Sequence, residues 1–303
     1  MSSPPQKTCI IITGPTAVGK TGFSIALAQH FKTDIISADS RQCYKELNIG
    51  VAKPSAAQLQ QTKHYFINSH SVYDDVSAGK YEQYALEAVH EIFETHNTAI
   101  MVGGTGLYIK AFCEGMDEIP SVDPVLRDEI NLKYNSGGLA WLQNEIKEKD
   151  PAWYEAGEIQ NPQRMMRALE VVAATGKSIL AFRKEKKIER DFKIIKIGLT
   201  IPREQLYQQI DARVVEMIKD GLETEVRSLI NYNSLNALQT VGYRELFDYI
   251  DGEFNLEKAI GLIKRNTRHY AKRQLTWFTK DEEIKWFSPL DYNQLIKYLI
   301  NLV

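Results

Sequence analysis

The chain is poor in the features that would place it outside a reducing, aqueous compartment. It carries three cysteines in 303 residues. Cys9, Cys43 and Cys113 are far apart and odd in number, which excludes a disulfide framework and shows no metal-binding spacing. Free, buried thiols are the expectation. No apolar stretch approaches the ~20 residues of a membrane span. The opening "MSSPPQKT" is too short and polar for a signal peptide. The expectation is therefore a cytoplasmic protein without membrane contact. Net charge is −2, so no global basic excess exists and any nucleic-acid binding must come from local patches. There is no internal repeat, and nothing marks a subunit interface, so a monomer is expected. With 44% hydrophobic and 25% charged residues the composition is that of an ordinary globular protein with ample core.

Against these absences stands one strong motif, "IIITGPTAVGKTGFS" from Ile10 to Ser24. An apolar, β-branched run is followed by Gly14-x-x-x-x-Gly19-Lys20-Thr21 and then by helical spacing, the context a phosphate-binding loop requires. Its residues are Gly14, Pro15, Thr16, Ala17, Val18, Gly19, Lys20 and Thr21. Glycines let backbone N–H groups point at phosphate oxygens, and the following helix adds the positive end of its dipole. Lys20 reaches the phosphates and the Thr21 hydroxyl is placed for Mg²⁺.

The run Cys9–Thr13, then "DIISA" (34–38), "AIMV" (99–102) and "FKIIKIGLT" (192–200) read as buried strands. They alternate with helical patterns over 21–31 and 81–95. The fold class is α/β, a P-loop-type parallel sheet flanked by helices. Near Pro120 the chain turns polar and helical, with a break at Asn135-Ser136-Gly137-Gly138 and a stop at Asp150-Pro151. We read 121–160 as an inserted all-helical subdomain and 8–120 plus 161–303 as the catalytic core, with a long helix over 162–175 closed by Gly176 and a mostly helical C-terminal part. The charged run from Arg183 to Arg190 reads as an exposed loop.

Asp39 ends the second strand, at the sheet edge that faces the ligand crevice in parallel sheets. It can hold Mg²⁺ through water, serve as a general base, or merely cap the next turn. Ser40, Arg41 and Gln42 extend a donor-rich loop beside it. Gly103-Gly104-Thr105-Gly106 follows the third strand, either for close approach to a ligand or as a tight turn. That strand lacks the terminal acidic residue expected of many P-loop nucleotide hydrolases, and no Asn-Lys-x-Asp segment occurs.

Arg164 and Arg167 share one helix face. Between 259 and 280 Lys264, Arg265, Arg268, Lys272, Arg273 and Lys280 occur without any acid, interleaved with Tyr270, Trp277 and Phe278; Lys264, Arg268 and Lys272 form an i, i+4, i+8 stripe. This suits an RNA backbone or a diphosphate, or else a solvated face. Arg213 interrupts the apolar positions Leu206, Ile210, Val214, Met217 and Ile218. Such an arginine wants an anion: a ligand, or a salt bridge to Asp211 or Glu216.

Seven strings, "GPTAVGKT" (14–21), "ISADSRQCYKELNIGVAKP" (36–54), "VGGTGLYIKAF" (102–112), "DPVLR" (123–127), "NPQRMMRALEV" (161–171), "VGYRE" (241–245) and "AKRQLTWF" (271–278), occur in the order found in the tRNA dimethylallyltransferase family. The resemblance covers about residues 10–287, and the second and third strings are far more specific than the loop. It implies transfer of the dimethylallyl group from dimethylallyl diphosphate to N6 of the adenosine 3′ to the anticodon, in tRNAs reading codons that begin with U. It implies that the loop holds a prenyl diphosphate with Mg²⁺ on Thr21, that Asp39 is the general base, and that Arg213 and Lys20 neutralise the leaving group. It further implies tRNA contacts at Asp39, Ser40, Arg41, Gln42, Thr105, Arg127, Gln163, Arg164, Met165, Met166, Arg167, Thr240, Val241, Gly242, Tyr243 and Arg244, with the 121–160 insertion clamping the anticodon stem–loop. The chain lacks the C-terminal Cys/His zinc finger that eukaryotic relatives often carry, and so resembles the shorter bacterial form. The competing reading is a small-molecule or nucleoside kinase using ATP, against which stands the lack of an arginine cluster between Lys45 and Tyr84.

Overall fold

A computed structural model of the protein describes residues 6–183 and 188–303. Among the described residues six strands form one all-parallel sheet: β1 (Thr8–Thr13), β2 (Ile35–Ala38), β3 (His64–Tyr65), β4 (Thr98–Gly103), β5 (Lys193–Leu199) and β6 (Lys285–Phe287), in the order β3-β2-β4-β1-β5-β6. The central strand shows why the sequence folds this way. Alternate β1 residues enter two separate cores, Cys9 and Ile11 one, Ile10 and Ile12 the other, and none of the four is exposed to solvent. A strand buried on both faces must be apolar throughout, which is the run read from the sequence.

One face is covered by α3 (Ala78–Thr95), α4 (Gly106–Glu114), α9 (Leu222–Ser228), α10 (Tyr243–Ile250) and part of α11 (Leu256–Phe278). The other takes α1 (Lys20–Phe31), α8 (Arg203–Lys219) and α12 (Tyr292–Ile300). The short α2 (Ala56–Gln61) lies in the loop between β2 and β3, capped by Ser55. The expected strands and helices are present within a few residues. The strands not expected are β3 and β6, of two and three residues, too short to carry a period, and the helices not expected before the insertion are α2 and α4.

The chain divides into two compact units, 1–115 with 189–303, and 116–188. The second holds α5 (Pro124–Lys149), α6 (Pro151–Ala156) and α7 (Pro162–Thr175). Asp123, Asp150 and Asn161 cap their first turns. Here the boundary expected at 160 moves to 188. Helix α7 lays Met165, Met166 and Leu169 against Ile130, Leu142, Ile146 and Trp153, so it belongs to the helical unit and not to the sheet. The break expected near 135–138 is at Gly138, whose φ of 66° and ψ of −163° interrupt α5.

The charged run 183–190 falls partly on residues 184–187, outside the described residues. Its last member is not exposed. Arg190 donates to the Phe112 and Ala111 carbonyls at 2.8 and 3.0 Å and to Glu82 at 2.7 Å, and its side chain is 9% exposed. No helix among the described residues is long and apolar enough to cross a membrane.

The dihedrals of Gly138 lie in a region open essentially to glycine alone. Gly138→Ala is therefore expected to cost about 1–3 kcal/mol, read as a lowered urea midpoint for unfolding. An unchanged midpoint would show that the interruption of α5 is not fixed by this residue.

Candidate active site

All strands are parallel, so the loops after β1, β2 and β4 gather at one edge of the sheet. The loop after β1 takes positive φ at Gly14 (141°), Ala17 (67°) and Gly19 (97°). Such alternation turns successive N–H groups toward one point, at which α1 begins. A side chain at Gly14 would run into the Leu199 carbonyl at the end of β5. Ala17 and Val18 are buried in the core, so only their backbone can face an anion. Pro15 has no N–H, and the Thr16 N–H is donated to Gln274 Oε1 at 2.8 Å. The amides available to an anion are thus those from Ala17 to Thr21.

Two cations converge on this loop. Lys20 Nζ donates to the Gly14 and Pro15 carbonyls at 2.9 and 2.7 Å, which leaves one of its three N–H groups. Burial, then the charge of Arg213, push the Lys20 pKa down to about 7, with Asp39 acting in the opposite direction. Arg213, on α8, donates to Thr16 Oγ1 at 3.3 Å, and burial lowers its pKa too. It forms no ion pair among the described residues. The alternative partner Asp211 is taken by Arg268, and Glu216 by Lys219. A desolvated arginine without a carboxylate, beside a desolvated lysine, makes an anion site.

Asp39 follows β2. Its Oδ1 accepts the Arg41 and Gln42 N–H groups at 2.9 and 3.3 Å, so it does cap the turn. Oδ2 accepts no hydrogen bond among the described residues. The Asp39 loop is tied to the loop after β4, since Ser40 N–H donates to Thr105 Oγ1 at 3.0 Å and Thr105 N–H to the Ala38 carbonyl at 3.1 Å. A side chain at Gly103 would strike the Ala38 backbone, which explains the glycine. Two cavities meet here. One of about 280 Å³ holds the phosphate loop, and one of about 690 Å³ is lined by residues of α8, α10 and the middle of α11. Thr16, Asp39, Val51, Ala52, Arg213 and Tyr270 line both and form the neck between them.

The larger cavity gathers Ser40, Arg41, Thr240, Val241, Gly242 and Arg244. Gln42 lines the smaller one and donates to the Val51 and Ala52 carbonyls. Tyr243 is fully buried, its hydroxyl donated to Glu225 at 2.5 Å, so a side-chain contact with RNA is closed to it. The same correction applies to Met165 and Met166, which are core residues of the helical unit. In that unit Gln163 and Arg164 are exposed, with Arg164 paired to Glu158 at 2.5 Å. Arg127 and Arg167 bracket the buried Glu170 at 3.5 and 3.0 Å.

On α11 the expected Lys264–Arg268–Lys272 stripe is not the face turned to the cavity. Arg268 is held by Asp211 and lies over the Tyr207 ring at 5.3 Å. Arg265, Asn266, His269, Tyr270 and Arg273 line the cavity instead. Tyr270 and Gln274 are site residues that the sequence reading did not single out as such. The available signal was a glutamine on the buried stripe of α11, where Ala259, Ile263, Ala271 and Phe278 are apolar.

Thr21 and Asp39 line the same small cavity. Among the described residues no group of three or more His, Cys, Asp or Glu could hold a metal. One hydroxyl and one carboxylate beside a phosphate site fit a magnesium ion, which keeps water and takes phosphate oxygens as ligands.

Comparison with known proteins follows the same line. The profile of the IPP transferase family matches residues 42–281. The tRNA dimethylallyltransferase of Cytophaga hutchinsonii is 46% identical over 97% of this chain and 97% of its own. That of Christiangramia forsetii is 50% identical over 92% of both. Among solved structures, a tRNA isopentenylpyrophosphate transferase from Bacillus halodurans superposes with a TM-score of 0.72 at 33% identity, covering 98% of this chain and 96% of that one. A eukaryotic dimethylallyltransferase acting on tRNA gives 0.79 at 26% identity, over 95% and 75%.

The depressed Lys20 pKa has a measurable consequence. An anion in the loop stabilises the charged ammonium and raises its pKa. Above pH 7, binding of inorganic diphosphate therefore takes up a proton at Lys20, and the contribution of Lys20 to affinity weakens as pH rises. Calorimetry at pH 8 in two buffers of different protonation enthalpy is expected to show this uptake, and Lys20→Met to lose it. Equal uptake by both proteins would remove Lys20 from the anion site.

Proposed function

The chain belongs to the IPP transferase family, and we propose that it transfers the dimethylallyl group of dimethylallyl diphosphate to N6 of the adenosine 3′-adjacent to the anticodon, in tRNAs that read codons beginning with U. The observation that carries this reading is the neck at Asp39. A cavity with two cations that form no ion pair among the described residues opens there into a larger, polar one, and Asp39, one of whose carboxylate oxygens accepts no hydrogen bond among those residues, lines both. The kinase reading finds no support, since relatives covering nearly the whole chain are tRNA dimethylallyltransferases.

The residues divide the reaction between the two cavities. The diphosphate lies against the amides of Ala17–Thr21, Lys20 and Arg213. As the C1–O bond breaks, negative charge grows on the diphosphate oxygens, and donors already fixed around them favour its departure. Magnesium, held by Thr21 and reached from Asp39 through water, would supply further charge neutralisation. Adenine enters from the larger cavity, after leaving the anticodon stack as bases must to reach a buried site. Its N6 forms the new bond to C1, and the N6 proton passes to the carboxylate of Asp39. The products are N6-isopentenyladenosine in the tRNA and free diphosphate.

The exposed start of α7, with Gln163 and Arg164, suits the phosphate backbone of the anticodon stem–loop, and the helical unit supplies that contact. The reading includes a monomeric protein working in the cytoplasm, in keeping with three unpaired thiols, two of them buried.

Incubation with labelled dimethylallyl diphosphate, Mg²⁺ and an unmodified tRNA for a UNN codon is expected to place label on N6; no transfer would overturn the reading. Asp39→Ala should slow single turnover by ~10²-fold or more with little change in tRNA affinity. An unchanged rate would show that Asp39 is not the base. Arg164→Ala should raise the tRNA Kd and reduce the slope of log K against log salt by about 1. Identical binding at all salt concentrations would take Arg164 off the RNA surface.

A further inference from the structure

We propose that Gln274 is a positioning residue of this site, one that sets where Arg213 stands at the diphosphate by holding Thr16. The inference rests on the function proposed above. Gln274 lies on the buried stripe of α11 and is 6% exposed. A leucine or methionine would fill such a position at no polar cost, whereas a buried carboxamide is tolerated only when paired at both ends.

Here both ends are paired, and to two different loops of the site. Oε1 accepts the Thr16 N–H at 2.8 Å, and Nε2 donates to the Gly104 carbonyl at 2.9 Å. The pairing fixes the orientation of the amide, since only oxygen can receive an N–H and only nitrogen can serve a carbonyl. Gly104 leaves no room for a side chain on this side, because a Cβ there would meet the Gln274 amide. Thr16 then passes the constraint on. Its backbone is anchored by Gln274, and its hydroxyl accepts Arg213 Nη1 at 3.3 Å. The contacts run from the loop after β4, through α11 and the phosphate loop, to α8. Among the described residues Arg213 has no ion pair to hold it, and the Thr16 hydroxyl is a polar contact that locates its guanidinium relative to the phosphate loop. Tyr270, one turn before Gln274, lines the neck.

The test uses the full chain and inorganic diphosphate. Gln274→Met keeps the volume and removes the hydrogen bonds to Thr16 and Gly104. It is expected to weaken diphosphate binding about tenfold, and to do so by less than about twofold once Arg213→Ala is present, because residues in one network do not add. In transfer assays it should raise KM for the prenyl donor and leave KM for tRNA unmoved. Thr16→Val removes only the hydroxyl that accepts Arg213, so it should show the same dependence on Arg213 and serves if Gln274→Met does not fold. A diphosphate Kd within twofold of the parent, or an equal loss with and without Arg213, would overturn the inference and leave Gln274 a packing residue. If the coupling is found but no prenyl group reaches tRNA, the proposed function fails while the positioning role stands. Transfer without coupling would sink this inference alone.

Discussion

Two cations partly stripped of water, with no carboxylate bonded to either among the described residues, are the constraint around which the rest of the site is arranged. Lys20 is held down to about pKa 7 by burial and by Arg213, and Arg213 is bound by a threonine hydroxyl instead of an acid. An arrangement of this kind favours an anion more strongly as its charge grows, which is the condition for assisting a leaving group and not merely binding a substrate. It also requires a rigid frame, because like charges in a poorly solvated place repel. The parallel sheet supplies that frame by ending β1, β2 and β4 along one edge, where hydrogen bonds tie the β2 and β4 loops to each other and Gln274 ties the β4 and phosphate loops.

Asp39 serves the frame and the chemistry with different atoms. One oxygen caps its own turn through two backbone N–H groups. The other accepts no hydrogen bond among the described residues, and Asp39 lines the neck between the cavities. The turn-capping reading and the catalytic reading of this residue are therefore compatible, and the cap helps to aim the free oxygen. A similar doubling occurs in the helical unit, where Arg127 and Arg167 neutralise the buried Glu170 and so support its core, while Arg164 pairs only with a surface glutamate. Of the three, Arg164 is the one whose charge is least committed to the fold.

Much of the architecture was legible because burial on both faces of a parallel sheet forces continuous apolar strands, and because loop chemistry punctuates them. The Gly14–Thr21 loop, the interruption at Gly138 and the close of α7 at Gly176 follow from local rules about glycine, caps and period. What periodicity cannot say is which partner a face meets. Helix α7 shows an apolar stripe in either domain assignment, and only its packing on α5 places it in the helical unit. Likewise the stripe Lys264–Arg268–Lys272 is a true helical face, but Asp211 occupies its middle member and the cavity lies around the corner, at Arg265 and Arg273.

By itself, then, the sequence determined the parallel α/β frame, the phosphate loop, the acidic residue at the end of β2 and the family to which the chain belongs. Each of these is written in residues close together along the chain, where steric and hydrogen-bonding preferences act locally. The tertiary structure alone decided that Thr16 is held by Gln274 from 258 residues away and bears on Arg213 across 197. It decided too that Met165, Met166 and Tyr243 are core and that the two cavities meet at Asp39. Pairings over such separations are set by the path of the chain through the fold, and no local preference encodes them.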